Sequence, residues 1–168
     1  MTEFHLLVEE QIPRLRRYAR ALLRSNISAA DDLVQDTLVR AVAKQHLWQP
    51  GTNLRAWLFT LMHNQHVNDV RRSARCGTTV DIDDLHNVMA SPSDTPSSVL
   101  VRDLERGLAE LSLEQREAIL LVGLEGMSYE EAAGVLGIPV GTVRSRLSRG
   151  RDTLRKLMGM EPSREMAA

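Results

Sequence analysis

Residues 128–156 read SYEEAAGVLGIPVGTVRSRLSRGRDTLRK, and the organisation of the whole chain follows from how this stretch divides. Ser128 followed by Glu131 has the spacing of a capping box, in which the hydroxyl and the carboxylate satisfy backbone N–H groups that a first helical turn leaves unpaired. A helix is therefore expected to start there. Tyr129, Ala132, Ala133 and Leu136 recur on one helical face, and Gly137 can turn the chain through a left-handed conformation. Pro139 cannot extend this first helix but tolerates the entry to a second, along which Val143, Leu147, Gly150, Leu154 and Leu157 form a buried stripe.

Two amphipathic helices joined by a turn of about three residues make the helix-turn-helix pattern. The opposite face of the second helix carries Gly141, Arg144, Ser145, Ser148, Arg149 and Asp152, mostly basic and hydrogen-bonding toward its N-terminal half. In such units that half enters the major groove of DNA. Arginine can donate to O6 and N7 of guanine, and serine hydroxyls reach phosphates or base edges. A solvated basic face on an ordinary helical hairpin would show the same charges, but the cap, short turn, small residues and Arg-Ser-Arg entry together favour groove reading.

The 168 residues suit one ordinary domain or two small ones, and 43% hydrophobic content is enough for helical cores. With only 4% aromatic residues, neither a base-stacking sheet nor a membrane belt is indicated. A net charge of −1 argues against tight, indiscriminate DNA binding, yet it hides local asymmetry. Arg14, Arg16, Arg17, Arg20 and Arg24 crowd the start, and Asp81, Asp83, Asp84 and Asp94 crowd the middle. The single cysteine, Cys76, cannot form an internal disulfide, and no signal segment or long apolar span is visible. The expectation is a soluble cytoplasmic protein without membrane insertion.

Outward from the hairpin, Leu6, Leu7, Ile12, Leu15, Tyr18, Ala19, Leu22 and Leu23 give a first helix that Pro13 starts or kinks. Ser28 with Asp31 repeats the cap spacing, and Leu33, Val34, Leu38, Ala41 and Val42 carry a second helix to about His46, exposing Asp32, Gln35, Asp36 and Arg40. The turn WQPGTN places Asn53 to cap a third helix with Leu54, Trp57, Leu58, Leu61 and Val70 inward. Arg55, Asn64, Asn68, Arg71 and Arg72 lie partly outward. Periodicity then fails from Gly77 to Ser98, where Asp, Ser, Thr and Pro accumulate as in a flexible tether. Helical spacing resumes at Val99, and Ser112 with Gln115 caps a helix holding Ala118, Ile119, Leu121 and Val122. The expected fold class is all-α: a helical domain over 1–75, a flexible acidic linker over 76–97, a helix-turn-helix domain over 98–160 and a disordered tail over 161–168.

Three stretches in this order, DDLVQDTLVRA (31–41), LRAWLFTLMHNQHVNDVRR (54–72) and PVGTVRSRLSRGRDTLRKL (139–157), resemble the extracytoplasmic-function sigma factors of bacteria. The likeness covers nearly the whole chain except the linker. It implies a promoter-specificity subunit of RNA polymerase, whose first domain grips the β′ clamp of the core enzyme and opens the minus-ten element. The last domain of such a subunit reads the minus-thirty-five element. It also implies that Asp32, Gln35 and Asp36 make the clamp contact, as carboxylates and an amide can pair with arginines of a partner. Asn64 falls where similar proteins hold a flipped non-template base, with the loop from Trp48 to Asn53 lining its pocket and Arg71 and Arg72 on phosphates. In the last domain the likeness puts sequence contacts on Arg144, Ser145, Ser148 and Arg149, and a phosphate contact on Arg146. Ser148 departs from the larger side chain common there, which leaves the exact minus-thirty-five sequence open. An anti-sigma factor covering both domains of an otherwise monomeric protein is the implied control.

Competing readings are a helix-turn-helix regulator acting alone, which gives no role to Asp32, Gln35, Asp36 or Asn64, and a sigma mimic that sequesters an anti-sigma factor. A mimic has little need of arginines on the reading helix. His63 and His66 share a helical face, but no carboxylate or cysteine of ligand spacing accompanies them, and no phosphate loop or nucleophile motif is present. The expectation is no metal, no cofactor and no catalysis.

Overall fold

A computed structural model of the chain describes residues 3–24, 26–77 and 96–160, with side chains from residue 99 onward in the last segment. Most of the expected linker, with its aspartates, and the expected tail therefore lie outside the described residues. Among those described, the chain forms seven α-helices.

Helix α1 (Glu3–Leu22) buries Phe4, Val8, Leu15, Tyr18, Ala19 and Leu22. Pro13 lies inside it on the exposed side, where the carbonyl its ring leaves without a donor can be hydrated. Helix α2 (Ile27–Ala43) is capped by Asn26, whose Oδ1 accepts from the Ala29 N–H at 3.1 Å. The Ser28–Asp31 cap read from spacing is thus displaced two residues upstream. Arg24, at φ 56°, turns the chain so that Asn26 arrives first in capping geometry, and asparagine is at least as good a cap as serine. The helix ends at Ala43, and a separate 3₁₀ turn (Gln45–Leu47) covers what periodicity read as its last turn. Asn53 caps α3 (Leu54–Arg75) as expected, accepting from the Ala56 N–H at 3.0 Å. Tyr18 meets Phe59 edge-on at 5.0 Å in the middle of this three-helix group.

The second group begins with α4 (Pro96–Glu110), which starts ahead of the Val99 read from spacing. Helix α5 (Leu113–Ile119) continues as a π turn (Leu120–Leu124), so the end that Gly123 and Gly126 weaken widens rather than frays. The capping box at Ser128 and Glu131 forms in full and opens α6 (Tyr129–Leu136), which ends at Gly137 with φ 65° and ψ 36°. Helix α7 (Val140–Leu157) follows Pro139 and buries Val143, Leu147, Gly150 and Leu154.

Leu6, Val42, Val70 and Leu157, assigned to core stripes by spacing, are exposed. Leu6 lies between the buried Phe4 and Val8, and Val42 beside the buried Ala41, so these two point off the packed side, while Val70 and Leu157 lie beyond His66 and Leu154, the last buried residues of their helices. A larger difference is that the two helical groups do not stand apart. Helices α1 and α3 pack against α5, the π turn and α6, and the buried apolar side chains form one continuous cluster through both groups.

Gly150 marks the tightest approach in the second group: a Cβ there would lie 2.7 Å from Ile119 Cδ1 and 3.4 Å from Gln115 Cβ. Gly150→Val is therefore expected to prise α7 from α5 and to lower unfolding stability by about 1–3 kcal/mol. Chemical denaturation checks this; an unchanged midpoint would show that α5 is free to shift.

Candidate nucleic-acid interface

The capping box, the left-handed Gly137 and the Pro139 entry fix the angle at which α7 leaves α6, and so fix which of its side chains face outward. Arg144, Ser148 and Arg149 are exposed, and Ser145 and Arg146 are half-buried. The Arg144 guanidinium lies over the Tyr129 ring, 5.7 Å from its centroid, so the first residue of α6 steadies this side chain of α7 by a cation–π contact. Arg146 reaches Glu114 at 3.7 Å. Beside it opens a polar cleft of about 430 Å³ lined by Ser112, Gln115, Gly141, Thr142, Ser145 and Arg149 among others. These hydroxyls and guanidinia on a convex helix suit contacts to phosphates and base edges.

The other residues singled out from sequence are also on the surface, on different helices. Asn64, Arg71 and Arg72 are exposed along α3, with Asn64 and Arg71 two turns apart on one face. Asp32, Gln35 and Asp36 are exposed along α2 at i, i+3 and i+4, one acidic-amide face. The structure gathers neither set onto α7. Cys76 is an exposed free thiol, and no group of three His, Cys, Asp or Glu side chains that could hold a metal ion occurs among the described residues.

What sequence reading missed is the seam between the groups. Arg17 donates from Nη2 to Glu125 Oε1 at 2.9 Å and to the Leu124 carbonyl at 3.3 Å, and Arg14 Nη1 lies 4.0 Å from Glu125 Oε2. Arg55 donates to the Glu125 carbonyl at 3.0 Å and lies 3.6 Å from Glu131 Oε2, while Asn53 Nδ2 donates to Glu131 Oε1 at 2.9 Å. His63 Nδ1 is 2.8 Å from Glu117 Oε1. Arg116, almost wholly buried, donates to the carbonyls of Leu22, Leu108, Ala109 and Leu111. No local signal marks this pair: Arg116 and Glu117 close the polar run Glu114–Glu117 and read as surface charges, yet they are buried and paired, as buried charges must be.

Burial, then the carboxylates of Glu117 and Glu125, push the Tyr18 phenol well above its ordinary range. Burial lowers the basicity of His66; Glu117 and Asp69 oppose this and His63 and Arg116 reinforce it.

Comparison with known proteins places two matches in order along the chain. Residues 8–63 match the family described as the Sigma2 domain of PhyR, and residues 102–154 match Sigma-70, region 4. A sigma factor of Rhodopseudomonas palustris, EcfG, of the extracytoplasmic-function type, is 40% identical over 88% of this chain and 80% of its own length. The RNA polymerase sigma factor CarQ of Myxococcus xanthus is 30% identical over 93% of this chain and 89% of its own. The sigma factor RpoE of Bartonella quintana, solved in complex with the anti-sigma factor NepR, superposes with a TM-score of 0.81 at 36% identity, covering 96% of this chain and 100% of that one.

The His66 shift carries a sign. Its folded value lies below the ordinary 6.5, so the unfolded chain binds the proton first. The stability gained by keeping the ring neutral is present above about pH 6.5 and is lost as pH falls through the folded value. Between about pH 7.5 and 5.5, the native chain is expected to lose more thermal stability than His66→Gln. Equal losses in the two proteins would remove His66 as the cause.

Proposed function

This chain belongs to the extracytoplasmic-function RNA polymerase sigma factors, and from that premise we propose that it binds core polymerase through α2 and directs promoter recognition and opening through α3 and α7. The observation that carries the reading is α7 itself. Arg144, Ser148 and Arg149 stand exposed on a helix whose entry is set by a full capping box and a left-handed glycine, which is what groove reading requires. Arg144 and Arg149 are assigned to base edges of the minus-thirty-five element with Ser145 and Ser148, and Arg146 to a phosphate. On α3, Asn64 is assigned to the exposed minus-ten base, with Arg71 and Arg72 on the backbone. Unstacking a base takes a few kcal/mol, which a pocket for the flipped base offsets. Asp32, Gln35 and Asp36 are assigned to the β′ clamp, where an acidic-amide face can pair with arginines.

In this reading the helices up to Arg75 and those from Pro96 onward act as the polymerase-binding and minus-thirty-five domains, α4 taking the last two residues of the expected 76–97 linker, and the segment between α3 and α4 is the tether. Control by an anti-sigma factor is part of the proposal, supported by the B. quintana relative solved with one. Among the described residues no helix is long and apolar enough to cross a membrane; the cytoplasm, where polymerase works, is the proposed location, and bond formation is left to the polymerase. The match of residues 8–63 to the PhyR domain favours a second reading, a sigma mimic that binds an anti-sigma factor without initiating transcription. Transcription in vitro with purified core enzyme separates the two, since a mimic gives no transcript.

In that assay Arg144→Ala is expected to weaken binding to the minus-thirty-five duplex by about 1–3 kcal/mol while affinity for core is kept. The idea fails if native and scrambled minus-thirty-five templates respond equally to the change. Asp36→Arg is expected to lose core binding first while duplex binding by α7 is retained. Undiminished affinity for core in a titration would count against the clamp assignment.

A further inference from the structure

The seam covers a cationic face that the assignments above leave unused. Arg14 and Arg17 lie one turn apart on α1, Arg55 lies in the first turn of α3, and Asn53 caps that helix. Every one of them meets an oxygen from the second group: the Glu125 carboxylate for Arg14 and Arg17, the Glu125 carbonyl and Glu131 for Arg55, and Glu131 for Asn53.

Glu125 does not sit there for want of alternatives. Its side chain is 0% exposed, and its Oε2 has no hydrogen-bond donor, only the Arg14 guanidinium at 4.0 Å. Burying a carboxylate is expensive unless cations compensate, so this acid is held by the charge of α1. Arg14 and Arg17 remain about half exposed, 48% and 51% at the side chain, so an anion in solvent can compete for them. The forked guanidinium that grips a carboxylate grips a phosphate with the same geometry.

We propose that Arg14, Arg17, Arg55 and Asn53 form a binding face for the phosphates of a single DNA strand, and that Glu125 and Glu131 occupy this face in the closed molecule as an internal competitor. The face continues from the Trp48–Asn53 loop assigned to the minus-ten base, and it spans two helices, as a strand running past that pocket needs. The sigma reading enters only in choosing a polynucleotide over an acidic protein segment as the anion. Strand and second group cannot hold the same guanidinia together, so DNA binding and closure of the seam compete.

The test uses the full chain and a short fluorescein-labelled single-stranded oligonucleotide, followed by anisotropy across a salt series. Glu131→Gln is the mild variant, because glutamine also serves in a capping box; Glu125→Gln with Glu131→Gln is the strong one, its folding checked by circular dichroism. Both are expected to bind the oligonucleotide more tightly than the native chain, the double variant by about threefold or more. The double variant's slope of log affinity against log salt should be steeper by about 2, as three arginines relieved of their carboxylate counter-charges neutralise phosphates at about 0.7 each. Adding Arg14→Gln, Arg17→Gln and Arg55→Gln should abolish both gains. Unchanged affinity and slope in Glu131→Gln and in the folded double variant, or gains that survive loss of the arginines, would overturn the proposal. So would tighter binding of a poly-glutamate peptide than of the oligonucleotide. Transcription with core polymerase by the native chain is read separately, so failure of the sigma assignment is not confused with failure of this one.

Discussion

The guanidinium of Arg116 closes the molecule where several helix ends meet. It donates to the Leu22 carbonyl at the end of α1, to those of Leu108 and Ala109 at the end of α4, and to that of Leu111 just beyond. The last carbonyls of a helix have no internal donor, and a cation there also matches the helix dipole. Burial, and then nearby Arg24, work against the charge, with Glu117 in its favour, but an arginine keeps its proton through such an environment. The adjacent residue, Glu117, points at His63 of α3. One dipeptide on a seven-residue helix thus ties the first helical group to the second, and the polar seam around Glu125 and Glu131 is laid out from that fixed point.

The charge distribution has a different logic from the one composition implied. The sequence directs attention to the aspartates of 81–94 as the acidic counterpart of the arginine-rich start, but those aspartates lie outside the described residues. The counter-charges that meet Arg14, Arg17 and Arg55 are Glu125 and Glu131, both from the second group, whereas Arg20 lies 4.0 Å from Asp31 of α2. Glu131 also serves in the capping box of α6, accepting from the Ser128 N–H at 3.1 Å. Its Oε2 both caps α6 and lies 3.6 Å from Arg55, while Oε1 accepts from Asn53, so one carboxylate serves the cap and the contact with α3. The local code that makes α6 a helix is in this way also part of the contact that seats it.

That double use explains what could be read in advance. Caps, the Gly137 turn, the buried stripe of α7 and the exposed α7 face are local: they depend on residues within a few positions of each other, and spacing reveals them. The Asn26 cap was missed because its choice over Ser28 depends on a positive φ at Arg24, which no pattern announces. Leu6 and Val42 point off the packed side of turns that are themselves buried, and at Val70 and Leu157 the periodicity continues past the last buried residue of the helix. The seam was invisible for a stronger reason. Arg14, Arg17 and Arg55 are ordinary solvated charges by spacing, and only the approach of a second group distant in sequence turns them into partners.

The composition of the seam bears on how firmly it closes. Exposed ion pairs contribute little, about 0–1 kcal/mol each, and the buried Glu125 carboxylate returns in desolvation much of what its arginines supply. The polar contacts therefore set register more than strength, and the apolar cluster shared by both groups supplies most of the adhesion. Separating the groups uncovers part of that cluster, so an open molecule is unfavourable unless something covers the surface or compensates for it. A ligand shifts such an equilibrium only by its difference in affinity for the two forms, and moving it from 1:99 to 99:1 takes about 5.5 kcal/mol. An ion pair or two exchanged for phosphate contacts falls short of this. A macromolecular surface docking on the uncovered apolar side chains, acting with the exchange of carboxylate for phosphate along α1 and α3, can reach it, and the physical demand is then for two ligands engaging one chain together.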